Sequence, residues 1–225
     1  WKLCYIFDKI DIMKQTVKLP KKIPVFPLSN FIIFPETTVP LNIFEPRYIQ
    51  MIDDVMKHER IIGMVQPKEV NNKNPKLYNI GCAGKITSFH ETEDGRYLII
   101  INGVCRFKIL NETTTNKLYR ECEVVYSDFH NDTKNQNEEI KFTDLELIFK
   151  NLKTLFNKQG YKINWKEIEK QSLDQTINTL SMASPFSLEE KQALLETIDL
   201  NDRKRKLEKI LSTYKVDNFY NKTIQ

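Results

Sequence analysis

Catalysis in water at neutral pH needs side chains that can pass protons, hold a metal or attack a carbonyl. This sequence offers few of them at useful spacing. Its four cysteines (Cys4, Cys82, Cys105, Cys122) never form a C-x-x-C pair, and its three histidines (His58, His90, His130) stand apart. That pattern argues against a zinc site and against a disulfide framework. Cys82, Cys105 and Cys122 lie in strand-like runs among apolar residues and read as buried, reduced thiols. Glu91 follows His90, but neighbours on a strand face opposite ways and cannot act as base and orienter. His58 falls at the end of a predicted helix, and His130 opens a polar loop.

Paired carboxylates occur at Asp53-Asp54, Glu93-Asp94, Glu138-Glu139 and Glu189-Glu190. Two of these pairs fall at or near predicted helix starts, where negative charge is stabilising, and one lies in a turn. None has a second acidic pair at metal-ligand spacing. Glycine is scarce, six in 225 residues, and the phosphate-loop, dinucleotide and nucleophile-elbow patterns are absent. Gly81-Cys82-Ala83-Gly84-Lys85 is too short for a phosphate loop and lies in a strand-like run. The reading is therefore no catalytic residue, no metal and no cofactor.

The elements that carry these residues change texture halfway. From Lys22 to about Phe129 the pattern is β, with runs at Val39–Phe44, Arg60–Val65, Leu77–Phe89, Arg96–Ile101, Cys105–Leu110 and Tyr119–Tyr126. Ile23-Pro24-Val25-Phe26-Pro27 is extended, and its two prolines predict an edge strand or a crossing between sheets. Glu93-Asp94-Gly95 and Asn102-Gly103 read as tight turns. One helix interrupts the series: Pro46 suits its first turn, and Tyr48, Ile49, Ile52, Val55 and Met56 recur at helical spacing. Asn71–Lys76 and Asn131–Asn137 are polar loops.

From Glu138 the period is helical. Ile140, Leu145, Ile148, Phe149, Leu152, Leu155 and Phe156 form an apolar stripe that stops near Gly160. A short helix at Trp165–Lys170 and another ending before Pro185 follow. Ser187 and Glu190 make a capping box for a further helix, and Asp199 or Asn201 caps the last one. The domain reading is an N-terminal extension over 1–19, a β-rich part over 20–130, a helical bundle over 138–215 and a tail over 216–225. Met13 is the candidate true start, with residues 1–12 an upstream extension of the reading frame.

Composition narrows the class. The chain is 40% hydrophobic and 28% charged, with a formal charge of +4, which fits a globular protein. Its longest apolar runs, Phe31–Phe34 and Tyr97–Ile101, are far short of the ~20 residues of a membrane span. No secretory leader is visible, because Lys2, Asp8, Lys9 and Asp11 break up Trp1–Ile12. The expected compartment is the cytoplasm. Residues 1–200 carry 27 basic and 27 acidic side chains, so the whole excess lies in 201–225, with seven basic and three acidic. Such a cluster fits the solvated face of a last helix, or a nucleic-acid contact made by Arg203–Lys206.

Several ordered motifs carry a family resemblance. Ile23–Gln66 contains Pro24-Val25-Phe26-Pro27-Leu28, Phe34-Pro35, Pro40-Leu41 and Ile43-Phe44-Glu45-Pro46-Arg47-Tyr48. Tyr78–Ile86, Asp94-Gly95-Arg96, Gly103–Phe107, Asn178-Thr179-Leu180 and Glu190–Glu196 continue the series. Over roughly residues 20–212 the chain resembles the N-terminal (LON) domain of Lon proteases, above all the stand-alone bacterial proteins made of that domain. The resemblance implies an α+β fold: a PUA-like β-barrel or two-sheet N-terminal half with one inserted helix, then a C-terminal helical bundle.

It also implies a non-catalytic recognition module for unfolded or exposed polypeptide segments, linked to protein quality control. At 225 residues, no ATPase or Ser-Lys protease domain is expected beside it. The implied partners are polypeptide substrates, or a protease or chaperone; the alternative is a nucleic-acid-binding protein that uses its basic tail. Phe44, Arg47 and Tyr48 are the candidate polypeptide-binding residues, since Tyr and Arg are frequent contact anchors. The same motif has an architectural reading, in which Glu45 accepts helix-start N–H groups and Arg47 pairs with a carboxylate.

Overall fold

Among the described residues, β-branched and aromatic runs fold into six strands, and the 3.6-period segments into six α-helices. The computed structural model describes residues 18–69, 72, 74–133, 145–161 and 163–220, the side chains of Thr133 and of 215–220 excepted. Met13, Cys4, Glu138-Glu139 and Ile140 lie outside the described residues.

The strands are β1 (Lys22–Pro27), β2 (Thr38–Ile43), β3 (Ile61–Val65), β4 (Ile80–Glu91), β5 (Tyr97–Thr113) and β6 (Arg120–Val125). They form one sheet in the order β2-β5-β4-β3-β1-β6, with a further β5–β6 pairing. β5 makes the closure possible through its length. Its first part pairs with β2 and β4, and its last part, Lys108–Thr113, pairs with β6. The sheet thus closes on itself, and β2 remains outside, with one edge that pairs with no strand among the described residues.

Two expectations are corrected. β1 is not an edge strand: it lies between β3, to which it runs parallel, and β6, to which it is antiparallel. The Leu28 N–H donates to the Val65 carbonyl, so even-numbered backbone groups of β1 face β3. The Lys21 carbonyl accepts from Val124 N–H, so odd-numbered groups face β6. Pro24 therefore faces β3 one residue before that pairing starts at Val25. Pro27 faces β6 after that pairing ends at Val25. Neither missing N–H removes a ladder bond.

Asn102-Gly103 is not a turn either, because β5 runs straight through it. The glycine serves a close approach. A Cβ there would meet the Phe34 carbonyl oxygen at 1.9 Å, and Gly103 exchanges backbone bonds with Thr37 and Glu36. A bulge falls at the same place, where the β4 register shifts between Ala83 and Gly84. The other predicted turn is present, with Gly95 at φ +76° and Thr92 N–H bonded to the Arg96 carbonyl.

The helices are α1 (Pro46–Met56), α2 (Glu146–Lys158), α3 (Trp165–Ile168), α4 (Leu173–Ala183), α5 (Leu188–Leu195) and α6 (Leu200–Tyr220). Ile148, Phe149, Leu152, Leu155 and Phe156 of α2 are buried, as the stripe requires. Both halves of the Ser187–Glu190 capping box form. Asp199, not Asn201, caps α6: its carboxylate accepts from Asp202 N–H at 2.8 Å. One buried cluster runs from Phe26, Ile52 and Ile101 on the sheet side to Leu152, Leu180 and Leu207 in the helices. A second cluster, with Ile23, Val65, Phe107 and Val124, fills the space enclosed by the sheet.

A buried polar junction ties the two together. Arg106 of β5 is 1% exposed, and Asp132 takes its Nε and Nη2 at 2.9 and 2.7 Å. The same guanidinium donates to the carbonyls of Leu195, Thr197 and Ile198 at the end of α5. Gln66, just after β3, adds bonds to the Leu188 carbonyl and to Gln192. These groups fix how the helices sit on the sheet.

Candidate functional site

The segment Phe44–Tyr48 joins β2 to α1, and backbone geometry decides which of its side chains reach solvent. Glu45 is the extended N-cap of α1, and Pro46 follows in the first turn. The Glu45 carbonyl accepts from Tyr48 and Ile49 N–H at 2.9 and 3.0 Å. Its carboxylate caps nothing and instead binds Arg47, at 2.9 Å to Nε and 2.7 Å to Nη2. The helix-start bonds thus go to the backbone of Glu45 rather than to its side chain.

The three sequence-predicted residues separate in depth. Phe44 is 63% exposed, and Arg47 is exposed. Tyr48 is 5% exposed, with its ring 4.2 Å from that of Phe26 and the Arg47 guanidinium 4.5 Å above it. Burial pushes the Tyr48 hydroxyl up, against the opposing field of Arg47. Tyr48 therefore anchors the segment and does not present itself to a partner. The expectation that it is a surface contact is corrected: it belongs to the apolar stripe of α1, with Met51, Ile52 and Val55.

Two residues that the motif did not single out complete the surface around Phe44. Asn42 of β2 lies opposite Leu98 of β5, and Ile43 opposite Tyr97. Alternation then puts Phe44 on the face of Leu98, which is 44% exposed. Arg96 lies 5.9 Å from the Phe44 ring and pairs with Asp94 at 2.9 Å. Only the β2–β5 register reveals this grouping.

The face adjoins an open edge. Gly103 N–H donates to the Thr37 carbonyl, so odd-numbered groups of β2 face β5 and even-numbered ones face outward. Thr38 and Asn42 thus offer N–H and C=O groups to solvent, with Pro40 between them lacking a donor. Strand β2 carries no charged side chain. Such an edge can accept an added strand, with a proline that limits how far pairing runs.

The surface is held rigid from beneath. Tyr97 donates its hydroxyl to Asp53 at 2.9 Å, and Tyr119 donates to Asp54 at 2.8 Å. Leu118 N–H bonds Gln50 at 2.8 Å. The Asp53-Asp54 pair is thus spent on positioning α1. The bond to Asp53, with burial second, pushes the Tyr97 hydroxyl up to about 12.

The three described thiols are ill suited to nucleophilic chemistry. Burial first, then the Asp132 charge, pushes the Cys105 thiol up to about 12, and burial pushes Cys122 up to about 11. Cys82 is driven well above its ordinary range by the same cause. Thiols held protonated are poor nucleophiles and poor metal ligands. Among the described residues no group of three or more His, Cys, Asp or Glu is placed to hold a metal ion. Among the same residues no helix is long and apolar enough to cross a membrane.

The basic cluster also divides. Arg203 is buried, its guanidinium 4.1 Å from the Phe34 ring and bonded to Asn178 at 2.6 Å. It is unavailable to a nucleic-acid backbone, so the four-cation contact expected of Arg203–Lys206 loses its first member.

A sheet closed through β5, an inserted helix behind β2 and a helical C-terminal part make up a mixed α+β fold. Residues 22–213 match the model of the ATP-dependent protease La (LON) substrate-binding domain, and the chain belongs to that family. It is 24% identical over 210 residues to a Lon protease of Dictyoglomus thermophilum, covering 87% of this chain and 25% of that one. It is 27% identical over 196 residues to the Lon protease of Buchnera aphidicola, covering 85% and 25%. The chain thus spans about a quarter of the length of these relatives. The fold is shared with a Lon N-terminal domain protein from Xanthomonas campestris, with a TM-score of 0.59 and 19% identity over 85% of this chain and 97% of that one. The N-terminal domain of Mycobacterium avium complex Lon protease gives a TM-score of 0.58 and 19% identity, over 85% and 98%.

Proposed function

We propose that this chain is a recognition module that binds unfolded or exposed polypeptide segments in the cytoplasm. It serves protein quality control alongside a protease or chaperone, without hydrolysing ATP or peptide bonds itself. One observation carries the reading: Phe44 and Leu98 are exposed on one face beside the uncharged edge of β2, which pairs with no strand among the described residues. An extended segment pairs with Thr38 and Asn42 and lays apolar side chains on Phe44 and Leu98. Arg47 and Arg96 border that face, and Tyr48 fixes the geometry from within. Membership of a substrate-binding domain family supports the polypeptide class, and the protonated buried thiols support the non-catalytic role.

The experiment is a titration of the protein with a fluorescent, permanently unfolded model protein. Binding in the micromolar range, typical of weak recognition, is the expected result. Phe44→Ser is expected to weaken it by about tenfold, while stability stays within about 0.5 kcal/mol because the side chain is exposed. Unchanged binding by that variant refutes the assignment of the face.

A further inference from the structure

A second surface lies where α5 hands over to α6, and it goes beyond the function proposed above. We infer that the open groove between these helices docks acidic polypeptide segments that carry an apolar anchor. The groove, of about 460 Å³, is lined by Ile198, Arg205, Lys206 and Lys209 and also by Glu196 and Asp202. Ile198 is 71% exposed, the most exposed of the large apolar side chains among the described residues. Arg205, Lys206 and Lys209 fall within one helical turn and are all exposed.

Charge accounting identifies the partner. Arg205 is paired with Asp202, which leaves Lys206 and Lys209 against the single charge of Glu196, whose carboxylate accepts from the neutral Gln192 amide at 2.7 Å. Lys206 and Lys209 have no ion pair among the described residues. The carbonyls that end α5 would ordinarily repel an anion. Here the Leu195, Thr197 and Ile198 carbonyls all accept from buried Arg106. That contact also makes the Ile198 backbone a fixed platform. A ligand that complements the groove presents carboxylates to Lys206 and Lys209 and an aliphatic or aromatic group to Ile198. A nucleic-acid strand fits less well, because Ile198 offers an aliphatic contact and no stacking ring.

The test titrates the protein with a fluorescein-labelled peptide that alternates glutamate and leucine. Parallel arms use a lysine–leucine peptide and an oligothymidylate. The glutamate–leucine peptide is expected to bind, with affinity falling as salt rises. Lys206→Glu with Lys209→Glu is expected to weaken it by about tenfold, as two lost and reversed exposed ion pairs would. Ile198→Ser weakens it too, and both the charge reversal and Ile198→Ser still weaken it when made in a Phe44→Ser protein, whose β2 face is disabled. Failure of the β2 face as a polypeptide site would therefore leave this result intact. Equal binding by the charge-reversed protein, equal binding of the lysine–leucine peptide, or tighter binding of oligothymidylate overturns the inference.

Discussion

Arg106 shows what single side chains contribute to this molecule. Its charge is fully desolvated, yet Asp132 takes it bidentately and three carbonyls saturate the remaining donors. Breaking such a pair strands the other charge. Asp132→Ala is expected to destabilise the fold by about 3–5 kcal/mol in denaturant titrations. Tyr97 gives the prediction for pH. Its hydroxyl is pushed up from an ordinary value of 10.0 to about 12 in the folded protein. The unfolded chain therefore loses this proton first, so stability from the Tyr97–Asp53 bond is complete below pH 10 and is lost as pH rises toward 12. Tyr97→Phe is expected to lower stability at pH 7 by about 1–3 kcal/mol and to flatten the alkaline decline, measured by unfolding across that range. The candidate site was partly legible at this scale. Arg47 could be read as exposed, because a charged residue opening a helix meets solvent. Tyr48 belonged to the helical stripe of Ile49, Ile52 and Val55 as well as to the contact motif, and burial of the stripe prevailed. Arg106 could not be read at all, since Asp132 lies 26 residues away and its carbonyl acceptors at Leu195 and Thr197 lie 89 and 91 residues away.

Local rules gave the helices more accurately than the strands. The Ser187–Glu190 box, the Gly160 stop and the proline start of α1 involve near neighbours only, and each forms as read. Ser187→Ala is expected to cost about 1 kcal/mol, checked by thermal unfolding. The strands depend on distant partners, and there sequence reading misplaced β1 and divided β5. Proline marks an edge only when its missing donor faces a paired neighbour, and the staggered pairing of β1 avoids that. Asn-Gly marks a turn only when no other segment crowds the glycine, and Phe34 crowds Gly103. Two glycine substitutions separate these cases. Gly103→Ala is expected to cost about 3 kcal/mol or more, because backbone must move. Gly95→Ala, with open space around its Cβ but a left-handed φ of +76°, is expected to cost about 1 kcal/mol. Thermal denaturation of the two proteins compares them directly.

At the level of the whole molecule, the sheet and the helices share one buried cluster and the Arg106 junction. That continuity predicts a single cooperative transition: Trp165 fluorescence, reporting the helices, and amide exchange of β4, reporting the sheet, should lose structure at the same denaturant concentration. The same continuity keeps the β2 face rigid, because α1 beneath it is pinned by Tyr97 and Tyr119. The α+β pattern and the family were legible because they rest on the order of many motifs. The exposed face was not, because it is assembled by the register of β2 on β5. The central claim is that this face holds extended polypeptide. Its most direct measurement is hydrogen exchange of the Thr38 and Asn42 amides with and without a permanently unfolded model protein. Both amides are expected to be protected in the complex, and Phe44→Ser to abolish the protection at the same ligand concentration. Binding that leaves these two amides exchanging at their free rate would contradict the claim.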